Sequence, residues 1–331
     1  MLDDFFTGRD WLLADGATGT NLFDMGLTSG DAPELWNDTH SDRIRSLHQM
    51  FVDAGADIIL TNSFGGTRRR LALHKLEERT YDLNRMAARN ARAVADAAGR
   101  RVIVAGSVGP TGDLFVPIGP MTEDAATDVF AEQIEGLKAG GADVVWIETM
   151  SAMEEMRAAA AAAARVGMPY TITASFDTAG NTMMGIRPEA MVRDVAAFQP
   201  HPHAIGCNCG VGASDLLCSV LAMTEAEPDT VVIAKGNCGI PQVGAGGVTY
   251  TGTPEVMADY ARLAVDAGAR IVGGCCGTLP AHLLAMRRAL DGHTRRERPT
   301  FEQIVAAIGP LASPPARAGA AAERRVGRRR G

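Results

Sequence analysis

Two adjacent cysteines set between glycines, Gly273-Gly274-Cys275-Cys276-Gly277-Thr278, are the residues best suited to chemistry in this 331-residue chain. Neighbouring cysteines do not easily bridge each other, and the flanking glycines let the backbone bend tightly. Soft thiolates suit zinc. A third sulfur is available from Cys209, or from Cys207 two residues earlier on the same face of a strand. Three protein ligands leave one tetrahedral position open, the pattern of a catalytic rather than a structural zinc. The competing reading is a set of buried, inert cysteines. An open position suits a thiol substrate, whose ordinary pKa of about 8.5 leaves little thiolate at neutral pH. Asp15 and Glu148 either bind a substrate ammonium or serve as a turn cap and an arginine partner.

These residues acquire a common address from the elements around them. Short apolar runs rich in Val and Ile occur at 11–14, 57–60, 101–105, 143–147, 170–174, 203–206, 231–234 and 270–272. They are apolar without alternation, as strands covered on both faces should be. Amphipathic segments separate them, among them 41–54, 81–98, 122–139 and 151–165, with Ser41 and Thr122 as predicted N-caps. Three helices end on related phrases, Asp53-Ala-Gly-Ala-Asp57, Lys138-Ala-Gly-Gly-Ala-Asp143 and Asp266-Ala-Gly-Ala-Arg270, where a glycine suits the left-handed stop. Eight β/α units imply an α/β protein, a single-domain (β/α)₈ TIM barrel over residues 1–294. A long doubly wound sheet is less favoured, because Gly16-Ala-Thr-Gly19 is only half of a dinucleotide fingerprint. In such barrels the strands' C-terminal ends carry the chemistry. That rim collects Asp15 and Gly16, then Thr61, Asn62 and Ser63, then Glu148, then Cys207, Asn208 and Cys209, then Lys235, Asn237 and Cys238, and last Cys275 and Cys276. Residues 295–331 read as an extension: a short helix near 301–308, then an Ala/Pro/Arg-rich tail expected to be disordered.

Composition narrows the partners. The net charge is −7, but the last nineteen residues hold six Arg and one Glu, so they carry +5 and the remainder −12. An acidic body argues against nucleic acid as the main partner. No run of eighteen apolar residues occurs, so a membrane span is not expected. The N-terminus lacks a basic n-region, and paired cysteines point to a reducing compartment, so a cytoplasmic protein is expected.

The motifs resemble those of the homocysteine S-methyltransferases. The matching stretches are Asp15-Gly-Ala-Thr-Gly-Thr20, Thr61-Asn-Ser-Phe-Gly-Gly-Thr67, Gly109-Pro-Thr-Gly112, Ile147-Glu148-Thr149, Gly206-Cys-Asn-Cys209 and the 273–278 motif. The family includes betaine–homocysteine methyltransferase and the homocysteine module of cobalamin-dependent methionine synthase. The resemblance implies a barrel, Zn²⁺ on Cys209, Cys275 and Cys276, and homocysteine sulfur as fourth ligand. It selects Cys209 over Cys207, and implies that Asp15 and Glu148 bind the amino-acid end of homocysteine. Gly16, Asn62, Ser63, Phe64 and Trp36 complete the expected substrate site.

Two departures bear on the methyl donor. Animal-type betaine enzymes place tyrosines where this chain has Gly65 and Thr149, so an aromatic cage is weakened; Trp36, Phe64 and Trp146 remain as aromatic surfaces. Related methionine synthases carry Pro-Asn-Ala-Gly where this chain has Gly236-Asn-Cys-Gly239. A small donor, betaine first and S-methylmethionine or a similar sulfonium next, is the leading expectation. A separate corrinoid protein supplying the methyl is the alternative. The oligomeric state, the roles of Cys207 and Cys238, and the purpose of the basic tail stay open at this level.

Overall fold

The computed structural model describes residues 6, 8–244 and 247–312. Eight parallel strands form one sheet: β1 (Leu12–Leu13), β2 (Ile58–Leu60), β3 (Ile103–Val108), β4 (Val144–Met150), β5 (Tyr170–Ala174), β6 (Ile205–Cys209), β7 (Val232–Gly236) and β8 (Ala269–Gly274). β8 pairs with β7 on one side and β1 on the other, and a parallel bridge from Ala14 to Ile58 brings β1 beside β2. The sheet thus curls into a ring, the expected TIM barrel. The helices that cover it are α1 (Ser41–Asp53), α2 (Thr80–Ala97), α3 (Glu123–Gly140), α4 (Met153–Val166), α5 (Pro188–Ala196), α6 (Ala213–Ala226), α7 (Pro254–Asp266) and α8 (Pro280–Asp291).

Local chemistry accounts for the helix ends. Thr122 accepts a hydrogen bond from Ala125 N at its side chain and so caps α3. Ser41 is not the cap expected of it. The short helix Trp36–Thr39 runs straight into α1, and Arg43 N and Ile44 N bond back to His40 O, so Ser41 is already the first helical residue. The glycine stops hold: Gly55, Gly141 and Gly268 have φ of 99°, 97° and 105°.

The apolar runs locate every strand but end too early for several. β3 extends to Val108, β4 to Met150, β6 to Cys209 and β7 to Gly236. The added residues include Glu148, Cys209 and Lys235, so the polar rim is built from strand ends rather than from loops alone. The opposite end of the barrel is held by Asp57, which accepts from Leu13 N and forms ion pairs with Arg9 and Arg287. A two-stranded hairpin, Pro241–Gly244 with Gly247–Tyr250, follows β7 and lies outside the repeat the sequence pattern displays. The helix at Phe301–Ile308 buries Ile304, and Ser214 Oγ donates to Gly309 O at 2.8 Å, which ties the helix to the start of α6. Residues 313–331, where a disordered tail is expected, lie outside the described residues. Among the described residues no helix is long and apolar enough to cross a membrane.

α1 turns Ile44, Leu47, His48 and Phe51 inward, as its spacing predicts. His48 is 1% exposed, and its Nε2 has no hydrogen-bond partner. Burial drives its pKa down to about 4. The folded state therefore keeps this imidazole neutral at a pH where the unfolded chain takes up a proton. Its contribution to stability is complete above about pH 6.5 and is lost as pH falls toward 4, by roughly 3 kcal/mol at the limit. Denaturant unfolding at pH 7 and pH 4.5 should show a smaller pH-dependent loss in His48→Leu than in the wild type.

Candidate metal and substrate site

The sulfurs of Cys209, Cys275 and Cys276 gather at the C-terminal rim, all within 4.8 Å of one another. Cys209 Sγ and Cys276 Sγ are 4.0 Å apart. Two sulfurs on one tetrahedral zinc, with bonds of about 2.3 Å, are separated by about 3.8 Å. The three thiols therefore fit a metal ion of that size by spacing as well as by donor chemistry. Hydrogen bonding to Cys275 and Cys276 pushes Cys209 well above the ordinary thiol range, while hydrogen bonding to Cys209 and Cys275 pulls Cys276 down to about 3. A bound cation would favour the thiolate form of all three.

Backbone geometry explains why Cys209, and not Cys207, joins this group. Two residues apart on a regular strand, both would point to one face, as the sequence pattern suggests. Cys209 instead adopts a left-handed φ of 61°, which breaks the alternation. Cys207 remains buried, with its Sγ 3.8 Å from Leu216 O on α6. Cys238 is also turned away: its Sγ donates to Gly252 O at 3.3 Å, although its backbone N–H bonds to Cys276 O. Asn237 Oδ1 accepts from Cys276 N at 3.1 Å, and Tyr250 stands beside Cys276 and packs against Gly277.

The thiols border a cavity of about 300 Å³. Gly16, Asn62, Ser63, Phe64 and Glu148 line it, as expected, together with Glu34, Ser107, Thr149 and Lys235. Glu148 follows from β4 and is buried at 8% exposure; Ser107 Oγ donates to its Oε1 at 2.5 Å. Burial raises its pKa to about 7 against the opposing pull of Lys235. Thr149, next in the chain, has a left-handed φ of 62°, held there by Asn208, whose Oδ1 accepts from Thr149 N and whose Nδ2 donates to Thr149 Oγ1. Ser63 is wholly buried and donates to Ser107 O, and Asn62 Nδ2 donates to Pro33 O, so both shape the wall.

Two expected substrate residues are not among those lining the cavity. Asp15 is not part of the cavity lining. Its Oδ1 pairs with Lys235 Nζ at 2.8 Å, and its Oδ2 accepts from Leu60 N at 2.7 Å. Trp36 is 6% exposed, with the Arg43 guanidinium 5.0 Å from its ring centre and His40 stacked at 4.6 Å; its face is occupied and does not border the cavity. Trp146 is fully buried in the barrel interior. Sequence reasoning placed Lys235 at the rim without a role and missed Glu34. A fully buried lysine is the signal that could have marked the first; nothing in the spacing of Ala32-Pro33-Glu34 marks the second.

Fold and site together define a barrel enzyme with a thiol cluster suited to a metal and a cavity of small-molecule size. Residues 12–290 match the sequence profile of the homocysteine S-methyltransferases, and the chain belongs to that family, as a methyltransferase. It is 30% identical to the methionine synthase of Mycobacterium tuberculosis over 90% of this chain, and equally to that of Mycobacterium leprae. It spans only 26% of the length of either relative. Its fold superposes on the metallated form of the Escherichia coli homocysteine methyltransferase MmuM with a TM-score of 0.72 and 25% identity, covering 87% of this chain and 99% of that one. The oxidised form of the same protein gives 0.71 at 24%, with 85% and 96% covered.

Lys235 and Asp15 are about 2% and 3% exposed at their side chains. Removing one partner of such a pair strands the other charge away from water, at a cost of about 3–5 kcal/mol. Lys235→Met should lower the unfolding free energy by that order, and adding Asp15→Asn should return a large part of it. Chemical denaturation of both variants checks this; equal losses would show that the pair is not the cause.

Proposed function

We propose that this protein transfers a methyl group from a small cationic donor, betaine first, to homocysteine, making methionine with the help of zinc. The observation that supports the reading is the thiol cluster beside a cavity lined by the buried carboxylate of Glu148. Cys209, Cys275 and Cys276 would hold the Zn²⁺. Bound there, zinc supplies Lewis acidity that keeps a substrate thiol deprotonated at neutral pH. Glu148 receives the homocysteine ammonium; the Lys235 cation and the incoming ammonium both favour its ionised form. Asp15, engaged by Lys235, supports the site from behind. The six cysteines are all free thiols, which supports a cytoplasmic setting.

A second reading is supported by the 26% span of the mycobacterial methionine synthases. In it, the chain is a homocysteine module that receives its methyl from a separate corrinoid protein. Purified zinc-loaded protein, supplied with homocysteine and betaine alone, should form methionine. Turnover with methylcobalamin or a methylated corrinoid protein, but with neither betaine nor S-methylmethionine, would favour the module instead.

Charge-assisted hydrogen bonds contribute about 1.5–3 kcal/mol. Glu148→Gln should therefore weaken homocysteine binding about tenfold or more with zinc content unchanged. Calorimetric titration with homocysteine measures it, and an unaltered affinity would remove Glu148 from substrate binding.

A further inference from the structure

The mouth of the cavity contains a second carboxylate that the reading above does not use. Glu34 lies in the short 3₁₀ turn Pro33–Leu35, in the long segment between β1 and α1. It is 6% exposed and belongs to the cavity lining. Its Oε1 accepts from Gly65 N at 2.7 Å. Arg70 and His74 are near enough to act on it through space, but among the described residues no cationic side chain forms an ion pair with it. Burial raises its pKa against the pull of the Gly65 N–H, His74 and Arg70, so it is a buried carboxyl group that an arriving cation would hold ionised; it lines the cavity together with Phe64, which is 41% exposed.

Gly65 makes this placement possible. A Cβ at that position would lie 2.8 Å from Glu34 Oε1 and 3.4 Å from its Cδ. Any side chain at 65, such as the tyrosine of animal-type betaine enzymes, would displace the carboxylate from its present seat. The loss of an aromatic group at 65 and the presence of a carboxylate beside it are therefore one structural fact. Trp36, the other aromatic expected to face a methylated cation, has its ring covered by Arg43 and His40.

We propose that Glu34, with Phe64 and the space left by Gly65, forms the donor subsite and selects onium methyl donors by charge in place of an aromatic cage. The proposal rests on the small-donor reading above. A quaternary ammonium or sulfonium centre has no N–H or S–H to donate, so recognition depends on Coulombic attraction and apolar contact. Glu34 supplies the first and the Phe64 ring the second. Glu148 near the end of β4, the thiols at and just past the ends of β6 and β8, and Glu34 on the turn before α1 all line this one cavity. In the transfer, the homocysteine sulfur lone pair forms the new S–CH₃ bond. The donor's C–N or C–S bond breaks, and its electron pair stays on the donor atom, whose positive charge disappears. At the transition state the transferring methyl and the leaving atom still carry much of that charge, so the interaction is made in both states and acts on donor binding rather than on the chemical step.

The test compares wild type, Glu34→Gln and Gly65→Ala as zinc-loaded, homocysteine-saturated enzymes. The donor KM for betaine, or for S-methylmethionine if that is the donor used, should rise about tenfold in each variant, with kcat within about twofold. The inhibition constant of 3,3-dimethylbutyrate, the uncharged carbon isostere of betaine, should stay within about twofold in Glu34→Gln, because the isostere lacks the charge that Glu34 reads. Homocysteine affinity should not change. An unchanged donor KM in Glu34→Gln, or equal weakening of onium donor and isostere, would overturn the proposal. If Glu34→Gln fails to fold, Gly65→Ala decides on the donor KM. Wild-type enzyme inactive with both onium donors would instead remove the small-donor reading on which the subsite rests.

Discussion

The buried ion pair between Lys235 and Asp15 is the contact around which the active rim is organised. Asp15 lies just past β1, accepts from Leu60 N of β2, and pairs with Lys235 from β7, while its carbonyl accepts from Gly274 N of β8. One carboxyl residue thereby ties together four strands where the barrel closes. Two charges removed from water are retained only if each meets the other in good geometry. For Lys235, Asp15 and Glu148 outweigh desolvation and hold its pKa above the ordinary value, whereas for Asp15 burial outweighs the pull of Lys235 and raises its pKa. With Asp15 engaged, Glu148 is left as the strand-end carboxylate open to the cavity.

From this follows a division of labour among acidic groups of similar chemistry. Asp15 is engaged at both oxygens, by Lys235 Nζ and by Leu60 N. Glu148 has one oxygen held by Ser107 and a pKa raised by burial to about 7, so a cation arriving beside it is favoured twice, through direct attraction and through restoration of the carboxylate. The thiol cluster is fixed by similarly local means. Left-handed residues at Thr149 and Cys209 cost energy and persist because Asn208 and the rim contacts hold them. They stand beside Glu148 on β4 and at the Cys209 sulfur on β6, the two strands that flank β5.

The donor side is organised by exclusion of bulk. Gly65 gives up a side chain so that a carboxylate can approach the backbone, and Trp36 is drawn into a cation–π contact with Arg43. In the donor subsite proposed above, a carboxylate would attract positive charge where an aromatic cage would do so through ring faces alone.

The sequence by itself determined the barrel, because eight apolar runs, intervening amphipathic segments and glycine stops are local patterns with a local physical cause. It also located the thiols, since Gly-Gly-Cys-Cys-Gly-Thr and Gly-Cys-Asn-Cys are contiguous motifs. It could not show where the strands end, because Glu148, Cys209 and Lys235 are polar and read as loop, yet they lie within the strands. Nor could it show that Cys207 and Cys209 diverge, because the period-two rule fails at a single positive φ. Which acid pairs with Lys235, which aromatic faces solvent and which carboxylate the glycine at 65 admits depend on residues far apart in the chain. Asp15 and Lys235 are separated by 220 positions, and Glu34 and Gly65 by 31. Only closure of the barrel sets those distances, and with them the charge that each group presents to the cavity.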